Sequence, residues 1–153
     1  MTDRKITSEP DKNFKLIGIA SADRDYRLCY MLTEVLGWDI LRLPNHEIEL
    51  RERTGKLSVS TFRASQPLTG SVFYLFANKS GGELLLPEAG NFDYLLKTEG
   101  AYKGIKELLK KIKLIESVLT ASEIPVKALK NWDRVAYEEP VERPEVVVKR
   151  KGK

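Results

Sequence analysis

The chain predicts an α+β fold: a mainly antiparallel sheet with two principal helices, arranged as a two-layer sandwich related to the ferredoxin-like type. Three observations carry this expectation. Apolar, β-branched and aromatic runs recur at residues 14–20, 57–64, 71–77 and 92–97, each bounded by turn residues. Two other segments, 24–36 and the stretch around 105–112, repeat their apolar residues at helical spacing. The resulting order, β-α-β-β-β-α-β-β, contains the split β-α-β pattern.

The elements follow in chain order. Residues 14–20, FKLIGIA, read as a strand, and Ser21, Ala22 and Asp23 are capping candidates for a helix over 24–36. Within it Leu28, Leu32, Val35 and Leu36 recur at helical spacing, and Gly37 suits a left-handed stop after which Trp38 packs back. Leu57, Val59 and Thr61 alternate along one strand of a hairpin whose turn contains Pro67 and Gly70. In its second arm Phe73 and Leu75 face one way and Val72, Tyr74 and Phe76 the other, so both faces want cover. The strand is central, or one face meets another subunit. Asn78 to Gly82 reads as a turn, 92–97 as the next strand, and Ile105, Leu108, Leu109 and Ile112 as the apolar stripe of a second helix. Residues 117–122 and 134–137 read as two short strands, with Pro125 opening a helical turn between them.

At 153 residues, with 42% hydrophobic and 31% charged, the chain holds enough apolar material for one core. Pro10, Pro140 and Pro144 bracket it, giving a leader over 1–12, a single domain over 13–138 and a flexible basic tail over 139–153. One cysteine excludes an internal disulfide, the N-terminus lacks the apolar stretch of a signal peptide, and no run approaches a membrane span. These features point to the cytoplasm, with no membrane partner. The net charge of +4 invites a nucleic-acid reading, but the tail holds five basic and three acidic residues, half of the excess, and the body is only +2.

Chemistry-bearing residues are sparse. His46, the one histidine, falls in the polar segment 44–53 and reads as a surface residue. Cys29 lies mid-helix among apolar positions, where a thiol behaves as a small hydrophobe. One His and one Cys cannot supply a transition-metal site, and no calcium-loop spacing is present, so no metal, cofactor or catalytic residue is expected. Gly81-Gly82 lacks phosphate-loop spacing and reads as a turn. Lys103, Lys106, Lys110 and Lys113 line the second helix opposite its apolar stripe. With Lys149, Arg150 and Lys151 of the tail they are the candidate contacts for weak, sequence-indifferent nucleic-acid binding.

Leu86 to Tyr94, LPEAGNFDY, resembles the signature of the IPExxxVDY family, small proteins of Bacteroidetes with no assigned function. Pro87, Glu88, Asp93 and Tyr94 match, while Leu86 and Phe92 stand where the signature has Ile and Val. The stretch from Phe14 to Gly37 looks like the start of such a protein. The resemblance implies a bacterial cytosolic protein and carries over no catalytic residue, cofactor or partner. On the residues themselves, Tyr94 packs, while Glu88 and Asp93 either cap backbone amides or, with Tyr94, form a recognition surface.

The leading expectation is a non-enzymatic binding or adaptor module, meeting a protein partner or self-associating through the face of Val72, Tyr74 and Phe76. A nucleic-acid-associated protein is the alternative, and an enzyme using Glu88, Asp93 or a tyrosine is the third reading.

Overall fold

A computed structural model describes residues 13–50 and 55–140. In chain order it contains β1 (Phe14–Ser21), helix α1 (Asp25–Leu36), β2 (Asp39–Glu49), β3 (Lys56–Ser65) and β4 (Val72–Ala77). There follow a two-residue hairpin of β5 (Lys79–Ser80) and β6 (Glu83–Leu84), then β7 (Tyr94–Glu99), helix α2 (Ile105–Ile112) and β8 (Val118–Ile124). Six strands form one sheet in the order β2-β3-β4-β7-β1-β8, each pairing antiparallel with its neighbours. The α+β class is as expected. β7, α2 and β8 form a split unit with β1 between its strands, whereas β1, α1 and β2 enclose three strands.

Central strands are buried on both faces, as their unbroken apolar runs require. On the helix side, Ile17, Ile19, Phe73, Leu75 and Leu96 meet Leu28 and Leu32 of α1 and Ile105, Leu108 and Ile112 of α2. Each such buried Leu or Ile contributes roughly 1.5–3 kcal/mol relative to exposure. α1 ends at Gly37, whose φ of 69° is the left-handed conformation its position predicts. Trp38 then turns inward and stacks on Phe73 at 4.5 Å. The cap at the other end differs: Arg24 is the N-cap residue without a side-chain bond, and the Ser21 hydroxyl accepts from the Asp23 amide instead.

Among the described residues the opposite face of the sheet carries no α-helix, and the chain covers it with loops and short 3-10 turns. Leu85, Leu86 and Ala89 from one side and Leu129 and Val135 from the other close over Leu16, Phe76 and Leu95. The strand of Val72, Tyr74 and Phe76 is central in the sheet, one of the two readings its two-sided apolarity allows, and the chain itself closes over this face: Phe76 is fully buried and Tyr74 half-buried against Tyr137.

Other expectations change as well. Residues 44–49, part of the segment 44–53 that reads as polar, belong to the 11-residue edge strand β2. Its alternation is disguised by an irregularity between Leu43 and His46, where Pro44 interrupts the ladder. Residues 134–137 are not a strand; a 3-10 turn over Trp132–Val135 leads into extended chain. Glu139, one residue past the expected boundary at 138, accepts hydrogen bonds from Arg63 and from the Tyr74 hydroxyl.

Candidate functional site

The signature-like segment builds a structural corner. Pro87 opens a 3-10 turn over Pro87–Ala89, and Phe92 lays its ring on β1 at Gly18, where a Cβ would stand 2.5 Å from the ring. Phe92 thus packs on the face opposite Tyr94 and Leu96, because it precedes β7 and escapes the strand's alternation. The Asp93 carboxylate accepts from the Ser21 amide at 2.8 Å and pairs with Lys79 at 3.1 Å. The Tyr94 hydroxyl donates to the Asp23 carbonyl, fixing the β1–α1 connection, and burial, followed by the carboxylate of Asp25, pushes its pKa up. Glu88 accepts from the Lys130 and Asn131 amides at 2.8 and 2.7 Å and from the Asn131 side chain at 2.9 Å. Partial burial alone would raise its pKa, and these hydrogen bonds outweigh it and hold the carboxyl below its ordinary value. Both acids cap backbone amides, yet their partners lie 43 and 72 residues away rather than nearby.

The hub of this corner is Asn78, which the sequence presents only as the first residue of a turn. Fully buried, it donates to the Ala89 and Phe92 carbonyls and accepts from the Leu86 amide through its side chain. Nothing local in the sequence separates it from an ordinary turn Asn, since its partners arrive from 8 to 14 residues away.

Across the sheet lies His46, which is buried in β2 rather than exposed. Its Nε2 donates to the Arg134 carbonyl at 2.7 Å, and the ring packs between Phe76 and Tyr137 at 5.4 and 5.3 Å. Burial depresses its pKa, opposed by the Arg134 bond and aided by the Lys97 cation. Cys29 is buried, with its thiol pushed up to about 12 first by that burial. Among the described residues, no group of three or more His, Cys, Asp or Glu side chains stands together.

Lys103, Lys106, Lys110 and Lys113 are all exposed along α2 and its ends, as is Lys111. Only Lys110 has an acid within reach among the described residues, Glu107 at 4.0 Å. Lys149, Arg150 and Lys151 lie outside the described residues. The structure does not bring the lysines to Glu88, Asp93 or Tyr94: the first belong to the solvent side of α2, Glu88 and Asp93 to the corner at the turn before β7, and Tyr94 to the helix-side core.

Beside the lysine face α2 forms one wall of a cleft of about 250 Å³. Its apolar lining comes from Leu36, Trp38, Leu68, Phe73, Tyr102 and Leu108. Lys111 and Glu107 stand on the α2 wall, with Gln66, Thr69 and Ser71 on the β3–β4 turn. Trp38, a lining residue only 3% exposed, makes no hydrogen bond among the described residues, and no buried side-chain nitrogen there lacks a partner, so its indole N–H keeps some contact with solvent. Four separate segments supply this lining, which is why the sequence gives no sign of it. Leu68, 93% exposed, stands at the mouth.

Among the described residues, no helix is long and apolar enough to cross a membrane. No family model, no curated protein and no solved structure matches this chain.

Proposed function

We propose that this domain is a non-enzymatic binding module that presents α2 to an acidic partner. One observation supports the reading most directly: five exposed lysines stand along α2 and its ends against the single acid Glu107. A solvated amphipathic helix needs no such excess of one sign, and a row held in place by a buried apolar stripe concentrates the field it projects. The test is calorimetric titration with polyglutamate. Replacing Lys106→Glu together with Lys110→Glu, both exposed, is expected to weaken binding by about tenfold or more, with a salt dependence that flattens in parallel. Equal binding by the charge-reversed protein would remove α2 as the contact surface.

A nucleic-acid partner is the second reading, supported by Tyr26 and Tyr30. They stand one turn apart on α1, 68% and 58% exposed, beside the exposed Arg24 and Arg27. Exposed aromatics among basic groups are what stacking on single-stranded bases requires. Fluorescence anisotropy with a single-stranded oligonucleotide at several salt concentrations separates the two, since this reading expects Tyr26→Ala to weaken binding and the first does not.

A cytoplasmic setting, in which the lone thiol of Cys29 stays reduced, accords with either partner. Membership of the IPExxxVDY family is likewise proposed, supported by the way Pro87, Glu88, Asp93 and Tyr94 serve a single corner.

A further inference from the structure

We infer that the cleft between α2, Trp38 and the β3–β4 turn seats one large apolar side chain of an acidic peptide segment, whose flanking carboxylates lie along the lysines of α2. The inference rests on the binding-module reading above and names the kind of partner it serves.

Size, lining and charge together select this occupant. About 250 Å³ is too little for a drug-sized ligand and matches a single aromatic or branched side chain. Trp38 and Phe73, stacked at 4.5 Å, with Tyr102 edge-on to Phe73 at 5.1 Å, make an aromatic floor that is rigid before anything binds. The Trp38 indole N–H has no acceptor among the described residues, and a peptide carbonyl next to the inserted side chain would supply one. Leu68, nearly free of contacts at the turn, would fold its apolar surface onto the guest. Around this anchor, Lys103, Lys106, Lys110, Lys111 and Lys113 face solvent, and Glu107 is the only opposing charge on the helix. An acidic flank complements that row, and a basic one would be repelled. A buried apolar anchor inside a charged rim is the general anatomy of a binding hot spot.

The test uses the full chain and an amidated Asp-Glu-Phe-Glu-Asp peptide, followed through the indole N–H resonances of the two tryptophans. Saturable binding should move the Trp38 resonance and leave that of Trp132, on the opposite layer, in place. Changing the peptide's Phe to Ala should weaken binding by about tenfold or more, as should Leu68→Asp, a substitution at an exposed position that leaves folding intact. Lys106→Glu with Lys110→Glu should weaken the same peptide and spare its uncharged Gln analogue. If the acidic peptide binds with full charge dependence but is indifferent to its Phe and to Leu68→Asp, the cleft inference falls while α2 remains the contact surface. If neither this peptide nor polyglutamate binds, both fall. Binding of an oligonucleotide alone, with the peptide silent, would also overturn it.

Discussion

At Gly18 the missing side chain is what the Phe92 ring rests on, and an added Cβ would sit 2.5 Å from ring atoms. Gly18→Ala must therefore displace Phe92 or shift β1, at a cost of about 1–3 kcal/mol typical of overpacking, measurable as a fall in urea midpoint. Asn78 tests the same corner from its centre. Asn78→Ala strands the Leu86 amide and the Phe92 carbonyl and leaves the Ala89 carbonyl with the Phe92 amide alone, with a larger expected loss of roughly 2–4 kcal/mol for the unsatisfied groups. His46 adds a pH dependence whose sign follows from its depressed pKa. The folded chain keeps the ring neutral while the unfolded chain takes up a proton near 6.5, so stability is complete above that value and declines as pH falls below it. Thermal melts between about pH 7.5 and 5.5 should show the decline, and His46→Gln, which retains a donor for the Arg134 carbonyl, should flatten it. Glu88, also depressed, acts in a lower window, near and below its ordinary 4.5.

Elements differ in how they are held. α1 and α2 are fixed by apolar stripes, whereas the chain from Leu129 to Glu139 is a strap tied mainly by polar contacts. Glu88 holds its start, Arg134 donates to the Leu84 and Leu85 carbonyls, Lys97 donates to the Val135 carbonyl, and Tyr137 donates to the Pro44 carbonyl. Glu139 closes the series on Arg63 and Tyr74, and burial, then the bond to Glu139, pushes the Tyr74 pKa up to about 12. A chain ending at Pro140 is expected to melt with the full chain. One ending at Ala128 loses Leu129, Val135 and Tyr137 from the face above Phe76 and Leu95, and light scattering should show it associating.

For the whole molecule, the two edges of the sheet bear on assembly. β2 carries Asp39, Arg42, Glu47 and Glu49 as exposed residues and is broken at Pro44. β8 has its own irregularity opposite Ala20 and Ser21, and Pro125 follows its end. Charges, irregular ladders and prolines at edges all discourage strand-to-strand pairing between copies. With the strap in place over the remaining apolar face, size-exclusion light scattering at tens of micromolar should report a monomer, about the concentration at which weak surface association would show.

The sequence by itself determined the α+β class, both helices, the β3–β4 hairpin and the apolar character of Cys29. These depend on the local periodicity of side chains, which the chain carries wherever it goes. It also offered capping as one of two roles for Glu88 and Asp93 and set the lysines of α2 opposite its apolar stripe. Tertiary structure alone decided the rest. An edge strand buries one face and admits a break, so β2 showed no clean alternation and His46 looked exposed. The sheet's second face is closed by a strap whose bonds join residues 38 to 93 positions apart, a spacing that no window along the sequence can display. The cleft beside α2 is likewise made of segments that meet only after the sheet has formed, with Trp38 on Phe73 as its floor.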